Sequence, residues 1–375
     1  MAKQHSSLII GDYISRFAQT LVEYSLDLRT GDLFIIRSTA LATPLVKAVY
    51  AAALRRGAHP VVRVGLEGLE ETFYELADAE QLAFESPFDL AETEQASARL
   101  YIDAPYNMRS LSEVPPDRLA SRSHAQTRLT QIFMDRSASG ALRWCSTLYP
   151  TNALAQEAGM SLGEYEDFVF KAMRLDQPDP AAAWRALSIE QQQKVERLNQ
   201  VREIRIAAQD TDLTLKVEGR RWINSDGKRN FPSGEIFTGP VEDSANGVIH
   251  FSFPAVRGGR EVEGVTLYFT DGKVIKAEAA RGADYLHEML NLDDGAGFLG
   301  EVAIGNNYSI QRYTKNVLFD EKIGGTCHLA LGASYPETGG RNRSSLHWDM
   351  VCDLRQEGEI YADGERIYEK GRWLI

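Results

Sequence analysis

Residues 31–65, GDLFIIRSTALATPLVKAVYAAALRRGAHPVVRVG, decide the fold of the N-terminal half. Phe34-Ile35-Ile36 is a short apolar run after Gly31-Asp32. Leu41 to Arg56 is rich in Ala and Leu and stops at Gly57, as a helix does. Val61-Val62 and Val64 form a second apolar run that ends at Gly65. Strand, crossover helix and strand of this size read as a βαβ unit with parallel pairing, because a tight turn cannot join parallel strands. Ser38-Thr39-Ala40 can cap the helix but is no Gly-rich phosphate loop, so a nucleotide-binding role rests on fold analogy alone.

Beyond this stretch, Leu100-Tyr101-Ile102 and Leu142 to Leu148 supply further strand signals. Gly163 to Leu175 reads as a helix that ends before Gln177-Pro178-Asp179-Pro180. Near Val201 the pattern changes: Leu213, Leu215 and Val217 alternate with polar residues, the signature of a half-buried strand. Asp226-Gly227, Asp271-Gly272 and Asp363-Gly364 each sit between strand-like residues, and Asp-Gly favours the turn that closes tight hairpins. One helical stretch, around Tyr285 to Leu290, interrupts this region. The expected fold is an α/β N-terminal domain over residues 1–200, followed by an α+β, β-rich C-terminal domain over residues 201–375. There is no internal repeat.

The chain of 375 residues is long enough for two domains, and its 43% hydrophobic and 25% charged content are those of a globular protein. A net charge of −12 argues against nucleic acid, whose phosphates require a surplus of Lys and Arg. Met1 to Ser7 are polar, and Leu8–Ile10 is broken by Gly11-Asp12, so neither a signal peptide nor a membrane span is expected. Cys145, Cys327 and Cys352 are odd in number and unpaired in spacing, which speaks against a disulfide framework and makes a cytoplasmic location the default.

The chemistry-bearing residues concentrate in the C-terminal half. Glu321 precedes His328 across Gly324-Gly325, a pair that lets the backbone bend sharply. His347-Trp348-Asp349 puts an imidazole and a carboxylate on one face of a strand, where both reach a single metal. A cation such as zinc accepts both donor types at about 2.0–2.2 Å. Each residue also has a plain alternative. His328 can be a hydrogen-bonded core histidine, and Asp349 can bond a backbone N–H. Glu235, after Pro232-Ser233-Gly234, is either a carboxylate presented at a loop edge or a cap. Glu301, inside Leu299-Gly300-Glu301-Val302-Ala303-Ile304-Gly305, either faces solvent or is buried among cations, since an unpaired buried carboxylate is prohibitively costly. Cys327 beside His328 invites a nucleophile reading, but adjacent strand residues point to opposite faces.

Taken in order, Pro-Ser-Gly-Glu235, Leu-Gly-Glu301-Val-Ala-Ile-Gly, Leu-Phe-Asp-Glu321, His328-Leu-Ala-Leu-Gly, Tyr335-Pro-Glu and His347-Trp-Asp349 resemble the thermophilic aminopeptidase (aminopeptidase T) family. Tyr149-Pro150-Thr151 and Ala155-Gln156-Glu157 extend the likeness into the N-terminal half. The resemblance implies a metalloaminopeptidase that uses two divalent ions, zinc or cobalt, held by Glu235, Glu301, Glu321, His328, His347 and Asp349. It implies Glu301 as the bridging ligand and Tyr335 near the substrate. The interval from Glu321 to His328 departs from the family through Gly324-Gly325, which leaves Glu321 either a ligand or a group that orients an imidazole. The resemblance further implies peptide substrates with a free N-terminus and a homodimer. In such a site the cations activate a water and polarise the scissile carbonyl, with Glu301 or Glu321 as base and Tyr335 at the oxyanion. Two rival readings stand beside it: a two-metal hydrolase of another small amide or ester, and a non-catalytic α/β ligand-binding protein with a vestigial metal site.

Overall fold

The computed structural model describes residues 2–375, with side chains from residue 11 onward. The polar start Met1–Ser7 and the apolar run Leu8–Ile10, on which the signal-peptide expectation rests, lie outside the residues whose side chains are described. The chain divides into two compact units. One comprises Met1–Ala181 with Lys228–Phe231, the other Ala182–Gly227 with Pro232–Ile375.

The first unit is built on β1 (Leu33–Thr39), β2 (His59–Gly65), β3 (Ala98–Asp103) and β4 (Arg143–Leu148), in the order β2-β1-β3-β4 and all parallel. Phe34, Ile35 and Ile36 are consecutive and all buried, as befits a strand covered on both faces. The crossover helix spans Thr43–Arg55, later than the Leu41 start read from composition. Ala40–Ala42 instead form a 3-10 turn whose entry is capped by the Thr39 side chain, which accepts from Leu41 N. Pro44 then sits in the first turn, where its missing N–H costs nothing. A fifth strand, Asn230–Phe231, pairs with β4 in parallel, and Thr147 Oγ1 donates to Phe231 O at 2.6 Å. Nothing local in the sequence marks those two residues as part of this sheet. Glu92, on the helix Pro87–Gln95, is buried against β1 and β2 and accepts from Arg37 Nε at 2.9 Å and Arg63 Nε at 2.8 Å.

The second unit has two large antiparallel sheets and a two-stranded one, Ala255–Arg257 with Arg260–Val262, around one hydrophobic core. The larger runs from Lys273–Glu278 through Thr266–Thr270, Asn246–His250, Thr211–Lys216, Glu203–Ala208, Glu359–Ala362 and Glu365–Glu369 to Arg372–Trp373. Asp271-Gly272 and Asp363-Gly364 close two of its two-residue hairpins, with both residues of each at positive φ. Asp226-Gly227 does not close a hairpin: only Gly227 has positive φ, and the Asp226 carboxylate accepts from Ser188 Oγ instead. The residues after it leave first for the parallel sheet, and the strand that returns beside Ile223–Ser225 begins only at Glu235, so no tight turn joins the two.

The smaller sheet carries the chemistry. It consists of β5 (Glu235–Thr238), β6 (Leu299–Gly305), β7 (Thr326–Gly332) and β8 (His347–Asp353), ordered β8-β7-β6-β5, with Ile223–Ser225 outside β5. No helix among the described residues is long and apolar enough to cross a membrane.

Candidate metal centre

The period of two along β5 to β8 sorts side chains onto two faces. Ile236, Val302, Ile304, Cys327, Leu329, Leu331, Trp348, Met350 and Cys352 enter the hydrophobic core. Glu235, Glu301, His328, His347 and Asp349 take the other face. Cys327 is thereby separated from His328 and lies opposite Cys352 in the ladder. One irregularity is needed. Leu299 and Glu301 have the same parity, yet Leu299 is in the core, and the register shifts between them. The bulge at Gly300 re-aims Glu301 without exposing Leu299. A Cβ at Gly300 would lie 2.1 Å from Ala333 O, so only glycine fits there.

Cross-strand neighbours leave room between the polar groups. Ala330 pairs with both Glu301 and Asp349, Ala303 with His328, Gly332 with His347, and Gly305 with Glu235. Each charged or imidazole side chain thus faces a residue too small to fill the space beside it.

Within that space Glu301 is central. Its Oε1 is 3.5 Å from His328 Nε2 and its Oε2 is 3.6 Å from His347 Nε2. Glu235 Oε2 lies 3.5 Å from His328 Nε2, and Asp349 Oδ2 lies 3.5 Å from His347 Nε2. The donors fall into two groups, Glu235–Glu301–His328 and Glu301–His347–Asp349, with each group's donor atoms within 4.8 Å of one another. Glu301 belongs to both. His347 Nδ1 is 2.9 Å from Ala333 O, a contact that places the proton on Nδ1 and leaves the Nε2 lone pair directed into the site.

The local structure answers the alternatives that the sequence leaves open. Glu235 is the first residue of a strand, neither at a loop edge nor a cap, and it is buried. Gly234 at φ 109 turns the chain into that strand, packed so closely on Asn307 that a Cβ would sit 2.8 Å from the asparagine's own. Asn306 N donates to Gly234 O and Asn307 Nδ2 to Ser233 O, fixing the approach. Glu301 and His328 are buried, while His347 is 29% exposed, so the cluster is closed at His328 and open at His347. Tyr335 stands at that open side, with its ring 5.3 Å from the His347 ring and 5.5 Å from Phe237.

Glu321 follows the short helix Val317–Asp320 and lies outside both donor groups. It pairs with Lys322 and is electrostatically coupled to Asp349. Lys322 is fully buried, with Nζ 3.3 Å from Glu235 Oε1. Sequence reasoning passed over this lysine, because a Lys after a Glu in a short helix turn looks like any solvated surface pair. Phe237 was missed too, although two residues after Glu235 in a strand is the position that shares its face.

Charge balance makes the cluster a candidate cation site. Burial alone would lower the His328 pKa, but Glu301, Glu235 and Glu321 outweigh it and push it up to about 9. Burial and the neighbouring Glu321 charge raise Asp349 to about 8. Burial likewise raises Glu235. Burial opposes ionisation of Glu321, yet the Lys322 and His328 charges bring its pKa below the usual value. Burial also opposes the charge on Lys322, and the Glu235 and Glu321 carboxylates more than restore it. Four acidic side chains crowd round one ammonium and two imidazoles, dications that displace the protons held there would relieve the crowding, and Glu235 Oε2 is buried without a hydrogen-bond partner. Carboxylate oxygen with imidazole nitrogen is a donor set that suits divalent cations such as zinc. The residues fit such ions.

The chain is similar to known proteins along nearly its whole length. Residues 11–373 match the family described as thermophilic metalloprotease (M29). Aminopeptidase 2 of Geobacillus stearothermophilus is 32% identical over 411 aligned residues, covering 96% of this chain and 98% of that protein. Aminopeptidase T of Thermus thermophilus is 27% identical, with the same coverages of 96% and 98%. The solved structure of wild-type AmpT from Thermus thermophilus superposes with a TM-score of 0.84 at 25% identity, covering 97% of this chain and 99% of that one.

Proposed function

The chain belongs to the thermophilic metalloprotease family (M29), and from that membership and the donor cluster we propose a metal-dependent aminopeptidase whose two divalent ions are held by Glu235, Glu301, Glu321, His328, His347 and Asp349. The observation that carries the two-ion assignment is the position of Glu301, whose two oxygens each face a different imidazole. Glu235 and His328 complete one position, and His347 and Asp349 the other. Glu321 is the outer member, joined to Asp349 and held by Lys322. The ions are zinc or cobalt.

When bound, two such cations acidify a water and polarise the scissile carbonyl. The chain's own groups do the rest. Among the described residues Glu301 forms no ion pair with Lys or Arg, whereas Glu321 is pinned by Lys322 and made less basic by it. Glu301 is therefore the general base, and Glu321 keeps Asp349 oriented. Tyr335, at the open side, donates its O–H to the oxygen of the carbonyl as negative charge develops there. The exposed His347 and Tyr335 mark the side from which the peptide N-terminus enters.

The division of labour follows the two-domain expectation. Residues 201–375 carry the chemistry, and residues 1–200 serve access and assembly in a cytoplasmic homodimer. Exposed apolar side chains in the first unit support an assembly surface: Leu69 is 57%, Leu76 73% and Phe88 77% exposed. The test of the function is elemental analysis of the purified protein beside a leucyl-anilide assay with and without chelator. Two ions per chain and chelator-sensitive release are expected. Release that survives complete metal removal refutes the reading. Light scattering tests the dimer, which a monomeric mass at working concentration rules out.

A further inference from the structure

A buried ammonium inside a cluster that attracts cations is the least expected feature of the site. Lys322 is 1% exposed, with Nζ 3.3 Å from Glu235 Oε1, in contact with a Glu321 oxygen, and 3.4 Å from Val317 O. Its position is built into the fold. Lys322 N donates to Phe319 O at 3.0 Å, and Lys322 O accepts from Asn307 N at 3.0 Å. Asn307 Nδ2 donates to Ser233 O at 3.0 Å, two residues before Glu235. One asparagine thus fixes both the approach to Glu235 and the lysine that faces it.

The two donor groups are not equivalent with respect to this charge. Lys322 pairs with Glu235, a member of Glu235–Glu301–His328 only. Among the described residues it forms no ion pair with Glu301 or Asp349. Four carboxylates neutralise two dications, and Lys322 adds a fifth positive charge beside one of the two positions. A dication there meets like charge and a Glu235 oxygen already engaged, while at the other position the lysine pairs with no donor and acts only at longer range, through the Asp349 charge.

Resting on the two-ion reading above, we infer that Lys322 makes the two cation positions unequal, weakening Glu235–Glu301–His328 and leaving Glu301–His347–Asp349 as the tight one. The protein then holds one ion firmly and takes the second from its surroundings, so that the free divalent-cation level sets how much of it carries both.

The test is a Zn2+ titration of the chelator-stripped, full-length protein against a chromophoric competitor, with metal analysis after gel filtration. Two steps separated by at least about tenfold are expected, with one ion per chain surviving filtration. Lys322→Met removes the charge at similar length and tightens the weaker step at least about tenfold, leaving the tighter one unchanged. A lysine with a merely structural role would instead weaken both steps or leave their ratio intact. Glu235→Gln and Asp349→Asn test the assignment independently, should Lys322→Met fail to fold: the first loses the weaker ion, the second the tighter. Two equal steps in the unmodified protein, an unchanged ratio in Lys322→Met, or loss of the tighter ion in Glu235→Gln overturns the inference while the two-ion reading stands. Uptake of at most one ion under excess Zn2+, in both the unmodified protein and Lys322→Met, removes the two-ion reading and this inference with it.

Discussion

Glu301→Gln tests the centre most directly, because the substitution keeps shape and burial and changes only chemistry. The Glu301 oxygens lie 3.5 Å and 3.6 Å from two different imidazoles. A glutamine can present an oxygen to only one of them; the other meets an N–H₂ group that neither ligates a cation nor accepts a proton. The variant therefore loses the shared donor for one ion position and loses the base altogether. A general base contributes about 10²- to 10⁴-fold, equal to about 2.7–5.4 kcal/mol of barrier at 1.36 kcal/mol per decade. Loss of the shared donor lowers occupancy further, so a fall in kcat/KM of at least about 10³ is expected. The assay is leucyl-anilide turnover under excess Zn2+, with bound metal measured on the same samples and the fold checked by circular dichroism. The substituted protein should fold normally, since the amide removes one of four crowded negative charges. A folded, metal-replete Glu301→Gln protein with unimpaired turnover would refute the central placement of Glu301.

Three further outcomes follow from the same geometry. Tyr335→Phe should lower kcat by about 10-fold or more with little change in KM, because the donated bond forms mainly in the transition state; an unaltered kcat in steady-state assays excludes the oxyanion role. Gly300→Ala should destabilise the protein by about 2 kcal/mol and weaken metal binding, since its Cβ would sit 2.1 Å from Ala333 O in the bulge that aims Glu301. Denaturant midpoints and metal titration check it, and unchanged values in both remove the bulge argument. Glu92→Gln should cost about 1–3 kcal/mol at pH 7, a figure reduced by the exposure of Arg63. Burial would raise the Glu92 pKa, but Arg63 and Arg37 bring it below the usual value. Its contribution is therefore present above the unfolded value of about 4.3 and is lost as pH falls through the lower folded one. The gap between variant and parent should close in acid, and urea melts at pH 7 and pH 3 would expose a gap that persists.

Much of the fold was legible because its signals are local. The βαβ unit of residues 31–65 shows in composition and a terminating glycine, and the hairpins at Asp271-Gly272 and Asp363-Gly364 show in their turn chemistry. Asp226-Gly227 carries the same dipeptide and closes nothing, because a turn is completed by the strand that follows it, and that strand pairs with β4. The N-terminus of the crossover helix moved from Leu41 to Thr43 for a similarly specific reason, the Thr39 cap on an intervening 3-10 turn.

Of the site, the sequence by itself determined the donor types and their order along the chain, and the His347–Asp349 pair, since spacing of two in a strand fixes a common face. Only the tertiary structure decided how the donors group. Glu301 reaches both imidazoles because the bulge at Gly300 turns it away from the core that Leu299 enters, and because Ala and Gly across the ladder leave the space open. Lys322 faces Glu235 across 87 positions of chain only because Asn307 binds the approaches to both. A burial of that kind has no local signature: a charge next to a charge reads as solvent-facing until the fold removes the solvent.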